Sequence, residues 1–371
     1  MTLRGLRVAL VGPLPPPAGG MANQTRQLAE LLAGSGAAVE LVQTNRPPPA
    51  WIEPMRGLRA VARLLPYLSR LWGASGRSDV VHLMANSGWS WHLHAAPAIW
   101  VARMRRTPVV VNYRGGEADT FLRRSARAVR FSMARAAALV VPSGFLQQVF
   151  AAHGMRAGIV PNIVDLARFR PLDPGAVREP TLMVARNLEP IYDNATALEA
   201  FAQVVEAVPM ARLLVAGTGP EEAALRALAR RLAVEAQVDF AGRLDRDQMA
   251  ARLRACAVSI NPSRVDNMPN SVLEALASGV PVVSTNVGGV PYIVHDGQTA
   301  LLVAPGDPQA MSQAIVRLLV DAGLADRLRQ AGLEEVQRYT WSRVCPVLTQ
   351  VYRSALGRSA GRTACASGTE P

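Results

Sequence analysis

Residues 259–283 constrain the fold most, because apolar runs and helix-boundary residues alternate within this short segment. The apolar run at residues 258–261 predicts a short buried strand. A helix is predicted with Pro269 just inside its start and Gly279 just past its end, because proline is favoured at the first helical position and glycine just past a helix end. The segment therefore predicts a strand, a compact helix and a second strand in close succession.

The first turn of this predicted helix, Asn270, Ser271 and Val272, is a candidate anion-binding site. Free backbone N–H groups and the positive end of the helix dipole meet in such a turn. Asp266 precedes the helix and Glu274 projects from it. Carboxylates accept hydrogen bonds from hydroxyl groups. The pattern therefore favours a ligand with phosphates and sugar hydroxyls over an ordinary helix whose acids are solvated at the surface.

Strands, loops and helices alternate in both halves of the chain. Strands followed by glycine-containing loops and helices are typical of doubly wound α/β domains. The loop that contains Gly19 and Gly20 does not have the Gly-x-Gly-x-x-Gly pattern, which argues against a nicotinamide cofactor. The predicted strands lie at residues 6–12, 39–43, 80–83, 109–112, 140–143 and 158–160, and at 182–185, 212–216, 238–241 and 258–261.

Positive charge is concentrated in the first half of the chain. All 40 basic residues are arginine, and the formal net charge is +12. Residues 1–165 contain 19 arginines and 7 acids, whereas residues 166–371 contain 21 of each. This excess indicates a polyanionic partner, either nucleic acid or a membrane surface. No RNA- or DNA-binding motif accompanies the charge, so we expect no nucleic-acid partner.

Cysteine usage and apolar runs indicate a cytoplasmic protein. Cys256, Cys345 and Cys365 are widely spaced and odd in number, which is untypical of a disulfide framework or a metal site. Such usage is expected in a reducing compartment. The apolar run at residues 8–11 is too short for the core of a signal peptide, and no run reaches transmembrane length.

These motifs resemble the signature of the retaining glycosyltransferases of family 4. That signature has an acid, seven residues, a glutamate and a Gly-x-Pro-Val-Val strand, matched here by Asp266, Glu274 and residues 279–283. Asp266 stands where the family usually has glutamate. The resemblance covers residues 6–356 and is denser after Leu182. It implies the GT-B fold, an α/β fold with two facing Rossmann-like domains and a C-terminal helix that crosses back to the first domain.

The resemblance also implies the domain organisation. Residues 1–165 are expected to form an N-terminal Rossmann-like acceptor domain, and residues 166–345 a C-terminal Rossmann-like domain for the nucleotide-sugar donor. Residues 346–371 are expected to form the return helix and a disordered tail. The helix is predicted at residues 341–355, and the tail, rich in small residues, at 358–371.

Individual site roles follow from matching positions in the family. Arg186 corresponds to the arginine that grips the donor diphosphate, and a guanidinium suits a forked phosphate contact. Glu274 would hold the ribose hydroxyls and Asp266 the hydroxyls of the donor sugar. Arg114 stands where the family has a histidine near the donor sugar, and Tyr192 stands near an expected lysine. The other expected donor-binding residues are Gly19, Gly20, Gly217, Gly242, Arg243, Leu244, Asn270, Ser271 and Val272.

The resemblance implies transfer of a sugar from a nucleotide-diphosphate sugar, with retention at the anomeric carbon and without a metal ion. The expected role is glycan or exopolysaccharide assembly. No cofactor is expected besides the nucleotide-sugar substrate. Asp245 and Asp247 are interpreted as a helix cap rather than a metal site, because acids favour the first turn of a helix. A sugar-nucleotide epimerase and a non-catalytic protein that binds nucleotide sugars or polyanions remain open. Arg114 has a structural alternative, an ion pair with Glu117 or Asp119.

Two basic segments bear on the acceptor. Residues 120–135 predict a helix with apolar residues on one side and, on the other, Arg123, Arg124, Arg127, Arg130 and Arg135. Residues 51–72 have a similar character. Such helices bind anionic lipid interfaces, although a solvated basic face of a domain helix explains the pattern equally well. Because the first domain faces the acceptor in this family, we expect peripheral contact with the anionic inner face of a membrane and a lipid-linked or other glycan acceptor.

Overall fold

The computed structural model describes residues 3–16, 19–47, 58–173 and 178–366, and gives only the backbone at residues 58–61 and 358–366. The chain divides into two compact units. One comprises Met1–Asn162 and Val344–Pro371, and the other comprises Ile163–Arg343. The domain limits expected from the sequence are residues 165 and 345.

A six-stranded parallel sheet forms the centre of the first unit. Its strands are β1 (Arg7–Gly12), β2 (Ala38–Gln43), β3 (Val80–Ala85), β4 (Val109–Tyr113), β5 (Ala138–Val141) and β6 (Gly158–Ile159). Their order is β2-β1-β3-β4-β5-β6, so strand addition changes direction between β1 and β3. Parallel sheets are covered by helices on both faces, and every residue of β3 and β4 is accordingly buried.

Helices follow the strands of this sheet. They are α1 (Gly20–Gly34), α2 (Leu58–Arg77), α3 (Ala96–Met104), α4 (Ala118–Met133) and α5 (Gly144–Ala152), with a π-helical turn before α3 at Trp91–Ala95. The helix α4 confirms the basic helix predicted at residues 120–135. The helix α2 covers much of the second basic segment, whose residues 51–57 lie outside the described residues.

The second unit contains another six-stranded parallel sheet. Its strands are β7 (Thr181–Ala185), β8 (Arg212–Ala216), β9 (Val238–Gly242), β10 (Val258–Asn261), β11 (Val282–Thr285) and β12 (Leu301–Val303). Their order is β12-β11-β10-β7-β8-β9, the order of a Rossmann fold, with the change of direction between β7 and β10. No sequence pattern predicts β12, which has three residues, only one of them buried.

The helices of the second unit are α6 (Asn194–Ala207), α7 (Glu222–Arg231), α8 (Arg246–Ala255), α9 (Asn270–Ala277), α10 (Pro308–Val320) and α11 (Ala322–Glu335). Asp245 caps α8, because its side chain accepts hydrogen bonds from the backbone N–H groups of Asp247 and Gln248. The interpretation of Asp245 as a helix cap is therefore confirmed.

The C-terminal helix α12 (Trp341–Ala366) returns to the first unit. The hydroxyl of Tyr352 on α12 lies 2.8 Å from Nδ1 of His82 on β3. This return confirms the crossing helix expected from the resemblance. The expected disorder is wrong for residues 358–366, because α12 continues through them. Residues 367–371 lie outside the described residues.

Candidate functional site

The change of strand order in the second sheet places Arg186 beside β10. Arg186 directly follows β7, and its Nε donates a hydrogen bond to Oδ1 of Asn261, the last residue of β10, at 2.8 Å. Asn261 Nδ2 donates to Ser284 Oγ at 2.9 Å, and Ser263 Oγ donates to Asn261 Oδ1 at 2.8 Å. A buried polar network thus holds the guanidinium at the carboxyl edge of the sheet, where open α/β sheets bind ligands.

Asp266 is the charged partner of Arg186. The two side chains form a salt bridge, and each is only 11% exposed. The ring centre of Tyr192, near the position of the expected lysine, lies 5.1 Å from Cζ of Arg186. Burial lowers the pKa of Arg186 to about 10, against the opposing effects of Tyr192 and Glu274, so the guanidinium remains charged at neutral pH. The structure therefore brings together two predicted site residues that are distant in sequence.

Glu274 lies on α9 within the electrostatic influence of Arg246 and Arg186. Burial raises the pKa of Glu274 to about 7, although the charges of both arginines act to lower it. The carboxyl group therefore changes its ionisation near neutral pH. A perturbed acid beside charged partners is typical of functional sites.

The helix α9 begins within one residue of the predicted start and ends just before Gly279, as the sequence predicts. Pro269 occupies the N-cap position, and Asn270 is the first helical residue. Ser271 Oγ is buried and, within the described part of the chain, has no hydrogen-bond partner. Buried polar groups are normally paired, so a hydroxyl without a protein partner in the first turn of the helix favours a ligand contact there. At the other end Gly279 has a φ of 61°.

Glycines after β8 allow two loops to approach closely. A Cβ atom at Gly217 would lie 1.8 Å from the carbonyl oxygen of Arg186, and one at Gly219 would lie 2.3 Å from that of Leu188. Packing against the loop that carries Arg186 therefore requires both glycines, whether or not they also contact a donor. The expected donor-binding residues at the end of β9 lie at the same edge of the sheet; Gly242 is the last residue of β9, and Arg243 and Leu244 follow it.

Arg114 directly follows β4 in the first unit. Its Nε donates to Asn112 Oδ1 at 3.2 Å, and its Nη1 donates to Gln24 Oε1 at 3.5 Å and to Asn162 Oδ1. Burial lowers the pKa of Arg114 to about 10, which leaves the group cationic at neutral pH. The Arg114 side chain thus connects three parts of the first unit. These are the end of β4, the helix α1 and Asn162, where the first stretch of this unit ends.

Gly19 and Gly20 lie at the start of α1 in the same unit. Gly19 is the N-cap residue, and its carbonyl oxygen accepts a hydrogen bond from the N–H group of Asn23 at 3.0 Å. Apart from its chain neighbours, no described residue has an atom within 4 Å of the place where a Cβ atom of Gly19 would stand. The start of α1 therefore leaves room for a ligand to approach the backbone.

The polar residues that hold the two arginines are site residues that no motif indicates. Asn261 ends a strand that contains two buried apolar residues, and Asn112 is the next-to-last residue of the largely apolar β4. A buried amide near the carboxyl end of a central strand is the sequence signal that could have found them, because ligand-binding edges collect polar groups at these positions.

The helix α4 has the charge separation that the sequence predicts. Leu122 and Val129 are buried, whereas the exposed side carries Arg123, Arg124, Arg127 and Arg130. Asp119 at the start of the helix pairs with Arg123 at 2.6 Å and with His153 at 3.4 Å.

Exposed aromatic side chains accompany arginines on the same unit. The Arg135 guanidinium carbon lies 4.1 Å from the ring centre of Trp100 and 3.9 Å from that of Phe131, which is 58% exposed. Arg105 lies over the ring of Trp72, which is also exposed. None of the helices within the described ranges has the length and apolar character needed to span a membrane.

Family models match both units. A model described as "Glycosyl transferase 4-like domain" matches residues 19–162, and one described as "Glycosyl transferases group 1" matches residues 179–321. Among solved structures, this protein is similar to Anabaena HepE in complex with UDP and glucose, with a TM-score of 0.72 and 17% sequence identity. The similarity covers 94% of this chain and 100% of that chain. This likeness shows the fold.

Curated relatives match with different coverage. The D-inositol 3-phosphate glycosyltransferase of Segniliparus rotundus is 31% identical over 228 residues, which are 58% of this chain and 51% of that protein. The chain thus spans about half the length of that relative. The phosphatidyl-myo-inositol mannosyltransferase of Mycobacterium leprae is 28% identical over 359 residues, 91% of this chain and 93% of that protein. With one model on each unit and two parallel α/β sheets, the chain belongs to the family 4 glycosyltransferases of GT-B fold.

Proposed function

We propose that this chain transfers a glycosyl group from a nucleoside-diphosphate sugar to an acceptor hydroxyl, with retention at the anomeric carbon. The observation that carries the proposal is the cluster of Arg186, Asp266 and Glu274 beside the start of α9. A buried cation and a helix N-terminus suit a diphosphate, and the two carboxylates suit sugar hydroxyls. The family membership supports the same assignment.

In the proposed reaction the bond between the anomeric carbon and the donor diphosphate oxygen breaks. The acceptor oxygen bonds to the same face of that carbon, and its proton passes to a donor phosphate oxygen. Arg186 and the first-turn amides of α9 stabilise the charge that develops on the leaving diphosphate. This stabilisation requires no metal ion. Glu274 holds the ribose hydroxyls, Asp266 holds the donor sugar, and Gly19 and Gly20 face the donor.

A donor screen tests this proposal. UDP-glucose, UDP-N-acetylglucosamine and GDP-mannose are incubated with the protein in the presence of EDTA, and release of the nucleoside diphosphate is measured. UDP sugars come first, because Anabaena HepE was solved with UDP and glucose. We expect release that Arg186→Ala abolishes and EDTA does not affect. Conversion of a donor to its isomer without nucleotide release would identify an epimerase, and binding without turnover would identify a non-catalytic protein.

We further propose that the acceptor is a lipid-linked glycan or another membrane-borne molecule. The exposed arginines of α4 and the nearby Trp100, Phe131 and Arg135 combine basic and aromatic groups, which suits an anionic lipid interface. The name of the Mycobacterium leprae relative supports a lipid acceptor. Contact at the inner face of the membrane follows from the cytoplasmic compartment expected from the cysteines.

Flotation with vesicles of phosphatidylglycerol and phosphatidylcholine tests the membrane proposal. The wild type should float at low salt, and the variant with Arg123, Arg124, Arg127 and Arg130 changed to glutamine should remain in the soluble fraction. A matched control makes the same charge change in the second unit, at Arg226, Arg230, Arg231 and Arg252, and should float like the wild type. A wild type that stays soluble at low salt would favour a soluble acceptor.

A further inference from the structure

His82 has hydrogen bonds at both ring nitrogens. The residue is fully buried on β3. Its Nε2 lies 3.2 Å from Nδ2 of Asn112, and its Nδ1 lies 2.8 Å from the hydroxyl of Tyr352 on α12. Tyr352 is only 1% exposed. A buried chain of polar groups therefore connects the C-terminal helix, through β3 and β4, to Arg114 at the end of β4.

Arg114 fixes the direction of each hydrogen bond in the series that runs from Arg114 through Asn112 and His82 to Tyr352. A guanidinium only donates, so Asn112 must present its carbonyl oxygen to Arg114 Nε. The Asn112 amide nitrogen then faces His82, and because an NH2 group only donates, His82 Nε2 must accept and carry no proton. His82 Nδ1 therefore bears the proton and donates it to the Tyr352 oxygen. Burial, followed by the charge of Arg114, lowers the pKa of His82 to about 3, which agrees with a neutral ring.

We propose that His82 and Tyr352 are positioning residues that set the orientation of Arg114. The Nδ1-protonated ring, held by Tyr352, keeps the Asn112 carbonyl oxygen turned towards Arg114, and the guanidinium is fixed from the other side by Gln24 and Asn162. The inference rests on the proposed function, together with a contact between Arg114 and the donor sugar or its phosphate, which the place of Arg114 at the family's histidine position implies. The C-terminal helix thus acts on the reaction without touching a substrate.

The tautomer of His82 is tested without any activity measurement. Long-range ¹H–¹⁵N spectra of the histidine side chains at neutral pH distinguish a protonated Nδ1 from a protonated Nε2. The chain has 5 histidines, and the His82 signals are those lost in His82→Gln. We expect a neutral ring protonated at Nδ1. A ring protonated at Nε2, or at both nitrogens, would overturn the proposed arrangement.

A double-mutant cycle tests the effect on the reaction. Tyr352→Phe should reduce the kcat of the donor reaction or raise its donor KM by about twofold to 150-fold, the usual range of coupling between residues in one network. In an Arg114→Lys background the same substitution should have little further effect. His82→Gln keeps an acceptor for Asn112 and should retain more activity than His82→Leu. Independent, additive losses from Tyr352→Phe and Arg114→Lys would reduce Tyr352 to a structural role and overturn the inference.

Tyr67→Phe is the matched control, because Tyr67 is another buried tyrosine of the first unit, and its hydroxyl donates to the His94 carbonyl oxygen at 2.8 Å. Tyr67→Phe should lower the Tm by about as much as Tyr352→Phe does, but it should leave kcat and the donor KM unchanged. If the wild type shows no transfer, the proposed function fails and the kinetic role of Arg114 fails with it, whereas the spectra still decide the hydrogen-bond arrangement.

Discussion

Glu274 should make nucleotide binding depend on pH. Burial raises its pKa to about 7, and only the ionised carboxylate accepts hydrogen bonds from both ribose hydroxyls. We therefore expect the affinity for UDP to fall as the pH drops below about 7 and to level off above about 8. Calorimetric titrations across this range check the prediction. Glu274→Gln should bind more weakly and lack the dependence, and a pH-independent wild type would contradict the assigned contact.

The same carboxyl group should limit stability at alkaline pH. Its pKa is raised on folding, so the stability it contributes is complete below the unfolded pKa and is lost as the pH rises through about 7. Since each pKa unit corresponds to about 1.4 kcal/mol, we expect Glu274→Gln to raise the free energy of unfolding at pH 8 by about 1–3 kcal/mol. Urea unfolding should show a smaller gain at pH 5. The exposed Glu206→Gln is the control and should have no such effect.

Substitutions of Asp266 and Glu274 should change different kinetic constants. Asp266→Ala removes the partner of Arg186 and the proposed contact with the donor sugar, so kcat should fall by about 100-fold. Glu274→Ala should mainly weaken nucleotide binding and raise the donor KM. Steady-state kinetics with the donor from the screen measure both effects, and Asp239→Ala, at an exposed position on β9, is the control. Wild-type turnover in both variants would remove these residues from the mechanism.

The end of α9 depends on one glycine. Gly279 has a φ of 61°, and a Cβ atom there would lie 3.2 Å from Cβ of Pro171. Gly279→Ala should therefore lower the free energy of unfolding by about 1–3 kcal/mol, the cost of a left-handed residue with a side chain. Gly357→Ala on α12 is the matched control, because beyond the helix's own backbone no described atom lies within 4 Å of the added methyl group. It should leave stability unchanged or raise it, and equal losses in urea unfolding would contradict the argument.

At the scale of the whole molecule, the chain's last helix belongs to its first unit. A protein that ends at Arg343 loses the four apolar side chains that α12 buries within the described residues, at Val344, Leu348, Tyr352 and Ala355. Burial of a large apolar side chain contributes about 1.5–3 kcal/mol, so the loss should be on the order of 5 kcal/mol. Tryptophan fluorescence during urea unfolding reports on the first unit. A protein that ends at Gly357 keeps all four residues and should unfold like the full chain.

Features with local causes could be predicted from the amino-acid sequence. The cap of α8 at Asp245, the start of α9 after Pro269 and its end before Gly279 depend on hydrogen bonds and backbone angles within a few residues. Alternating strands and helices likewise predicted parallel α/β sheets, because buried strands of such sheets are continuous apolar runs. The sequence did not predict the secondary structure of very short segments or of segments rich in small residues. No pattern indicated β12, and helix was missed at residues 358–366.

Which side chains contact each other across the sheets depends on the packing of distant elements. The strand order of the second sheet brings Asn261 next to Arg186, and the return of α12 brings Tyr352 to His82. Contacts between residues this far apart in sequence depend on sheet order and helix return, which no local hydrogen bond or propensity specifies. The raised pKa of Glu274 has the same origin, because its carboxyl group loses contact with water only when the folded chain packs around α9.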